Sequence, residues 1–284
     1  MAVFVSSNCL PQRVREAVST LTGEGILNIE LGPTQEYDEG IEEFLVSVKN
    51  AQFIIHNYFP APQHPFILNL ASSNERIRGR SIAQAKKSIE LCHLLNSDLF
   101  SVHAGFVTDP DFGTEQFDFT SAKGVANYEM AFNNFVASIK ELLNLAVPLS
   151  VKIAVENNVC RQDCRKYLLL NEASEFERLF AEVPSPNLGI NIDLGHLNVS
   201  ARSLNFDKYE FIQRTKDRVL ELHLHDNDAL ADSHDPLSEN SWVLQVLMNE
   251  NFDERIPIVL EARNLTLDQI SSQIDLIKEG IAIR

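Results

Sequence analysis

The sequence predicts one α/β domain, a single (β/α)8 TIM barrel that spans residues 1–284. Eight short β-branched runs alternate with eight longer amphipathic stretches along the 284 residues, the order expected of a parallel sheet covered by helices. The strand-like runs are apolar on both faces, which is typical of strands buried on both sides. Residues 6–11, after the first run, contain no glycine-rich phosphate turn, and this disfavours the competing doubly wound sheet.

Each predicted strand is a short run of apolar and β-branched residues. In chain order, the predicted strands are residues 2–5, 26–31, 52–56, 99–103, 152–156, 188–193, 219–223 and 256–261. Pro257 stands at the opening of the last strand, where the sheet tolerates a proline.

The predicted helices lie between and after these strands. In chain order they are residues 11–21, 41–49, 74–95, 122–145, 172–181, 206–216, 238–249 and 267–280. The third helix shows the clearest periodicity, because Ile82, Ala85, Ile89 and Cys92 recur at the spacing of one buried face. Pro148 follows the fourth helix, where a proline is tolerated.

The composition narrows the function classes. The chain carries 24 Lys and Arg against 40 Asp and Glu, and its net charge is −16, which argues against a nucleic-acid ligand. Its apolar runs are far shorter than the roughly 18 residues needed to span a bilayer, so we expect no membrane partner. The N-terminus shows no basic segment followed by an apolar one, and we therefore expect a cytoplasmic protein.

Side chains that can bind metals stand at the ends of six consecutive predicted strands. They are His56, His103, Glu156, Asp193, His223 and Glu261. His196 follows Asp193 by three residues, and Asp232 and His234 lie in the loop after the seventh strand. Because the carboxyl ends of barrel strands meet at one mouth, we expect all nine side chains to converge there.

Converging ionisable groups are costly to bury unless a cation pairs with them. The predicted donors are nitrogen and oxygen atoms without a thiolate, which favours zinc, with manganese or cobalt as alternatives, over magnesium or calcium. Nine ligands exceed the needs of one ion, so the sequence predicts up to three divalent ions. A carboxylate such as Glu156 could then bridge two of them.

Several short segments together carry a family resemblance. They are His56 followed by Asn69-Leu-Ala-Ser72, then Ser101-Val-His103-Ala-Gly105, Ala154-Val-Glu156-Asn157, Asn191-Ile-Asp193-Leu-Gly-His196, Leu222-His-Leu-His-Asp226, Asp232-Ser-His234-Asp-Pro-Leu and Leu260-Glu261. In this pattern the chain resembles the xylose-isomerase-like TIM-barrel superfamily. That superfamily includes sugar and sugar-phosphate isomerases and epimerases, and family 2 apurinic endonucleases of the endonuclease IV type.

The resemblance to the endonuclease branch implies three zinc ions. The first would be held by His56, His103 and Glu156, the second by Glu156, Asp193, His223 and Glu261, and the third by His196, Asp232 and His234. The resemblance to the epimerase branch implies one ion, held by Glu156, Asp193, Glu261 and either His223 or His225. We prefer His223, although both histidines would share a face if the strand continued to Leu224.

The chain departs from the endonuclease pattern after its second predicted strand. The endonucleases carry an aromatic and basic strip there, whereas residues 30–39 of this chain are acidic and contain no Arg or Lys. Ile29-Glu30-Leu31 resembles the isomerase and epimerase branch instead, and an extended loop, residues 57–65, follows His56.

We therefore favour a metal-dependent isomerase or epimerase of a small sugar or sugar phosphate. The metal would polarise the oxygens of the sugar as a Lewis acid. The catalytic residues Glu156 and Glu261 would remove and return a proton from opposite sides. We predict that the substrate contacts Glu30, Asn69, Asn157 and His225. Isomerases of this superfamily are often oligomers, and the endonucleases are monomers.

Two alternatives stay open. In a zinc-dependent phosphoesterase, clustered ions would activate water against a phosphoester, either abasic-site DNA or a small phosphorylated compound. Asp232 and His234 support this alternative, because a mononuclear epimerase does not require them. The other alternative is a barrel that binds metal without turnover.

Overall fold

The computed structural model, which describes residues 1–34, 36–112, 117–119 and 127–282, confirms the predicted (β/α)8 barrel. Eight parallel strands close into the barrel. They are β1 (Val3–Ser6), β2 (Asn28–Leu31), β3 (Gln52–His56), β4 (Leu99–His103), β7 (Lys152–Glu156), β8 (Leu188–Asp193), β9 (Val219–Leu224) and β10 (Ile258–Leu260). Two further strands, β5 (Asp111–Phe112) and β6 (Phe117–Asp118), pair in an antiparallel manner and were not predicted.

The strand register sets the height of the polar side chains at the mouth. Around the barrel the strands follow the order β1-β10-β9-β8-β7-β4-β3-β2, and β2 pairs with β1 to close it. His103 lies opposite Glu156 on one pair of strands, and Asp193 lies opposite His223 on another. Because the strands are parallel, these ladder partners end at the same edge of the barrel.

The barrel interior changes from apolar to polar along its axis. A cluster of Phe4, Ile54, Leu99, Ala154 and Val259 fills the end at which the strands begin. Residues two apart on a strand share a face. The strand positions that carry Ile54 and Ala154 in this apolar layer are therefore followed, on the same inward face, by His56 and Glu156 at the mouth. The apolar layer therefore closes the barrel beneath the polar layer.

Nine α-helices surround the barrel among the described residues. They are α1 (Val14–Gly23), α2 (Ile41–Ser47), α3 (Glu75–Leu94), α4 (Tyr128–Ala146), α5 (Ala173–Glu182), α6 (Leu194–Leu204), α7 (Lys208–Thr215), α8 (Trp242–Asn249) and α9 (Leu267–Ala282). Eight correspond to the predicted helices, with shifted ends. The predicted start of the fourth helix, at Ala122, lies outside the described residues.

The ninth helix, α6, was not predicted, and it follows β8 without a loop. Asp193 ends β8 and also caps α6, because its Oδ1 accepts a hydrogen bond from the backbone nitrogen of His196 at 2.7 Å. A side-chain carboxylate at this position satisfies an amide that has no partner within the helix. No helix among the described residues is long and apolar enough to cross a membrane.

Candidate metal centre

The nine predicted ligands meet at the carboxyl end of the barrel, beneath a cavity of about 620 Å³. Seven of them line this cavity: His56, His103, Glu156, His196, Asp232, His234 and Glu261. Asp193 and His223 are fully buried behind them. Among the described residues, the possible ligand atoms form four groups. Three of them correspond to the predicted ions, and we number these in the order used above. The fourth group combines Glu30 with His56 and His223.

The first cluster contains His56, His103 and Glu156. Nε2 of His103 lies 2.9 Å from Oε2 of Glu156, and Nε2 of His56 lies 3.3 Å from the same oxygen. The two imidazole Nε2 atoms are 3.1 Å apart. Nδ1 of His56 contacts Oγ of Ser101 at 3.0 Å, which orients the ring with its other nitrogen toward the cluster.

The second cluster combines Glu156 with Asp193 and His223. Oε1 of Glu156 lies 3.9 Å from Nδ1 of His223. Oε2 of Glu261 approaches the same nitrogen at 3.2 Å. Glu156 therefore presents one oxygen to the first cluster and the other to the second.

The third cluster contains His196, Asp232 and His234, and also His225. Oδ2 of Asp232 lies 3.1 Å from Nε2 of His234 and 3.4 Å from Nε2 of His196. The other oxygen, Oδ1, lies 3.5 Å from Nε2 of His225.

Buried polar atoms without hydrogen-bond partners concentrate at these clusters. Among the described residues, they include both carboxylate oxygens of Glu156, Oδ2 of Asp193, both ring nitrogens of His223, Nε2 of His225 and Oδ1 of Asp232. Native proteins rarely leave buried polar atoms unpaired unless an ion or water serves them. The imidazole and carboxylate donors are those that zinc uses, so the residues fit a divalent metal.

Histidines keep the mouth carboxylates ionised. Burial alone would raise the pKa of Glu156, but His103 and His56 hold this pKa well below its ordinary value. The pKa of Asp193 is also lowered, against burial, by His196 and His225. Ionised carboxylates can serve as metal ligands or as bases.

The histidines divide into two electrostatic kinds. Burial lowers the pKa of His56 to about 3, so its ring is neutral. For His223, burial opposes the charged form, but Glu261 and Glu30 outweigh it and raise the pKa well above the ordinary value. In the metal-free protein, protons on such rings balance the carboxylates, and a divalent cation can replace them.

The four residues predicted to contact substrate occupy different places. His225 joins the third cluster. Glu30 is fully buried, and its Oε2 lies 2.9 Å from Nε2 of His223. The side chain of Asn157 is hydrogen-bonded to the backbone of Asp193. None of these three lines the cavity as described.

Asn69 lies away from the metal ligands. Its Nδ2 donates to the carbonyl of Phe106 at 3.0 Å and to Oδ1 of Asp109 at 2.8 Å. Its Oδ1 accepts from the backbone nitrogens of Ala71 and Phe106, both at 3.0 Å. The amide is fully buried, and this geometry favours a role in joining two loops over a substrate contact.

Glu221 and Asn191 are two polar side chains inside the barrel that were not among the predicted site residues. Both are fully buried, and neither has a hydrogen-bond partner among the described residues. They face each other on β9 and β8, one inward position below His223 and Asp193. The alternation of a strand could have revealed them, since each stands two residues before a predicted ligand.

The cavity wall was not predicted either. Tyr58, Phe66, Phe106 and Phe119 contribute aromatic surface. The exposed side chains of Arg161 and Arg263 also line it. No motif marks these residues, because they are brought together by loops that follow different strands.

Comparison with known sequences identifies relatives of this chain. Residues 25–283 match the family described as xylose isomerase-like TIM barrel. An uncharacterized protein of Methanocaldococcus jannaschii is 29% identical over 222 residues, which cover 76% of this chain and 67% of that protein. A probable endonuclease 4 of Persephonella marina is 22% identical over 210 residues, which cover 69% of this chain and 67% of that protein.

Comparison with solved structures finds the same barrel. A D-tagatose 3-epimerase-like protein superimposes with a TM-score of 0.77 at 21% identity, over 100% of this chain and 98% of that one. The IolI protein, crystallised with a zinc atom, superimposes with a TM-score of 0.69 at 15% identity, over 99% and 98% of the two chains. At these identities the likeness shows the fold.

Proposed function

The chain belongs to the xylose isomerase-like TIM-barrel family, and on that premise we propose that it is a divalent-metal-dependent isomerase or epimerase of a small sugar or sugar phosphate. One observation carries the proposal. Two buried carboxylates, Glu156 and Glu261, line the floor of the cavity and approach the same ring nitrogen of His223, at 3.9 and 3.2 Å.

In this proposal the two carboxylates transfer protons on two sides of the substrate. Glu156 ends β7 and Glu261 follows β10, and two strands, β8 and β9, separate them around the barrel. The pKa of each is lowered despite burial, for Glu261 chiefly by His223. One carboxylate can accept the proton from the carbon beside the sugar carbonyl. In an isomerase a proton is then returned to the adjacent carbon, whereas in an epimerase the other carboxylate returns a proton to the opposite face of the same carbon.

Divalent ions bound at the mouth would supply Lewis-acid polarisation of the substrate oxygens. We propose the ligand sets described above: His56, His103 and Glu156 for the first ion, Glu156, Asp193, His223 and Glu261 for the second, and His196, Asp232 and His234 for the third. Zinc is the metal that these imidazole and carboxylate donors favour.

The cavity suits a small molecule. Its volume of about 620 Å³ lies within the range of roughly 300–1,000 Å³ that is usual for small-molecule sites. Tyr58 and Phe66 provide an apolar wall for the carbon skeleton. The net charge of −16 weighs against a nucleic-acid substrate. A cytoplasmic location and an oligomeric assembly stay predictions.

The test is solvent deuterium exchange into candidate sugars. Zinc-loaded protein is incubated in heavy water with aldoses, ketoses and their phosphates, and deuterium at the carbon beside the carbonyl is followed by NMR. We expect exchange and product formation with one member of this panel. Glu261→Gln should lower the turnover about 100- to 10,000-fold, the range of general acid–base contributions. Glu16→Gln, on the exposed surface of α1, is the matched control.

The ion content of each variant is measured in parallel, so that loss of a ligand is separated from loss of a base. Absence of exchange and product with every member of the panel, in protein that carries its full complement of metal, would contradict the proposal.

A second candidate function is a zinc-dependent phosphoesterase. The observation in its favour is the presence of the first and third clusters beside the second, since proton transfer by Glu156 and Glu261 needs one ion. Its substrate would be abasic-site DNA or a small phosphoester. Cleavage of such a substrate without sugar exchange would favour this function, and a fully metal-loaded protein inactive in both assays would favour a barrel that binds metal without turnover.

A further inference from the structure

We infer that His225 is a fourth protein ligand of the third ion, and that this ion is structural and closed to substrate. The inference rests on the proposal that the protein binds divalent ions. It starts from Asp232, whose carboxylate is surrounded by three imidazole Nε2 atoms. Oδ2 lies 3.1 Å from His234 and 3.4 Å from His196, and Oδ1 lies 3.5 Å from His225.

The opposite nitrogen of each ring fixes which atom can bind metal. Nδ1 of His234 lies 3.0 Å from the carbonyl oxygen of Glu261, and Nδ1 of His196 lies 3.1 Å from that of Asn157. Nδ1 of His225 lies 3.4 Å from the carbonyl oxygen of Asp226. A carbonyl can only accept, so each Nδ1 carries a hydrogen and each Nε2 is the nitrogen that would bind a metal.

The His225 ring is held in place with its Nε2 facing the carboxylates of both Asp193 and Asp232. It is fully buried, and its Nε2 has no hydrogen-bond partner among the described residues, although Oδ1 of Asp193 lies 3.1 Å away. The ring packs directly on Gly195, where a Cβ atom would stand 1.9 Å from Cε1 of His225. The absence of a side chain at Gly195 is therefore what lets the imidazole reach the cluster.

Four protein donors change the chemistry of the third ion. Structural zinc sites are closed by four protein ligands, whereas catalytic sites keep a position open for water or substrate. Without His225 the third site would have three protein ligands. His225 does not line the cavity as described. It would therefore supply the fourth ligand from the buried side of the third site.

A third ion with four protein ligands would hold together segments of the chain at the carboxyl end of the barrel. Asp232 and His234 belong to the loop after β9, His196 belongs to α6, and His225 directly follows β9. Their shared ion would fix this loop against the barrel and leave chemistry to the first and second clusters.

The test is the order in which ions leave the protein. Full-length protein loaded with zinc is dialysed against dipicolinate, and zinc per chain is followed by elemental mass spectrometry. We expect a plateau near one zinc per chain. His225→Asn should release this last ion more than about 100-fold faster. Substitution of a residue that only supports a ligand usually lowers metal affinity by no more than about 100-fold, so a larger effect indicates a direct ligand. His93→Asn, at an exposed position near the end of α3, should keep the plateau.

X-ray absorption of the wild-type protein at the plateau counts the ligands without any variant, so a variant that fails to fold does not remove the test. Three imidazoles and one carboxylate are expected. Two imidazoles, release of all zinc in one phase, or an unchanged plateau in His225→Asn overturns the inference. Inactivity in the sugar assay with an intact plateau contradicts the proposed function alone, whereas a protein that binds no zinc overturns both.

Discussion

The side-chain amide of Asn157 is hydrogen-bonded to both backbone polar groups of Asp193. Its Oδ1 accepts from the Asp193 nitrogen at 2.9 Å, and its Nδ2 donates to the Asp193 carbonyl oxygen at 3.0 Å. These two hydrogen bonds join the end of β7 to the end of β8. They fix the point at which β8 is followed by α6, and with it the direction of the Asp193 carboxylate.

We predict that Asn157→Ala weakens metal binding. The variant leaves the buried Asp193 amide without its partner, which should cost about 1–3 kcal/mol of stability. As a change outside the direct ligands, it should lower zinc affinity about 10- to 100-fold. Chelator competition measures the affinity, and thermal unfolding measures the stability. A raised KM with unchanged zinc affinity would instead support the substrate contact predicted from the sequence.

The second prediction concerns the pH dependence of stability in the metal-free protein. Burial raises the pKa of Glu30 from 4.5 to about 7, although His223 opposes the shift. Because the folded pKa exceeds the unfolded one, this group stabilises the fold fully below pH 4.5, and the contribution is lost as the pH rises through about 7. Glu30→Gln cannot ionise and should escape that loss.

Denaturant unfolding of metal-free wild type and Glu30→Gln at pH 5 and pH 8 measures the effect. The stability of the variant relative to wild type should rise between the two values. Glu16→Gln, on the surface of α1, controls for removal of a negative charge as such. A relative stability of Glu30→Gln that falls with pH would contradict the assignment of burial as the dominant cause.

The barrel and its mouth were predictable from the sequence because two local rules coincide there. Strand runs are recognisable by their apolar residues, and the fold requires the ends of parallel strands to meet. His103 and Glu156, which are ladder partners at the ends of β4 and β7, needed no knowledge of packing to be placed together. Helix α6 was missed because Asp193 both ends a strand and caps a helix, and so leaves no loop between them.

The roles of the residues behind the ligands could not be predicted in the same way. Glu30 depends on contact with His223, seven strands later in the chain, and Asn69 depends on Asp109, 40 residues away. Their side chains are buried polar groups whose partners are chosen by tertiary packing. A sequence pattern gives the strand end on which such a residue stands but not the atom that it faces.

A third prediction concerns Gly195 on α6. An added Cβ would stand 1.9 Å from the His225 ring, so Gly195→Ala must displace the imidazole. Overpacking of this kind costs about 1–3 kcal/mol, and the last zinc ion should be lost from the plateau protein. Gly79→Ala is the matched control, since a Cβ on this glycine of α3 meets nothing within 4 Å. It should stabilise the protein by up to about 1 kcal/mol.

The last prediction concerns protons released on metal binding. Glu261 and Glu30 raise the pKa of His223 over the opposing effect of burial, and Asp193 and Asp232 do the same for His196. These rings therefore carry protons in the metal-free protein near neutral pH, and each must give one up to become a ligand.

Calorimetric titration with zinc in two buffers of different ionisation enthalpy counts the protons that are released. We expect proton release on zinc binding and a zinc affinity that rises with pH. His196→Asn should release fewer protons than wild type, whereas His93→Asn should match it. Zinc binding without proton release would contradict the protonation of His223 and His196 in the metal-free protein.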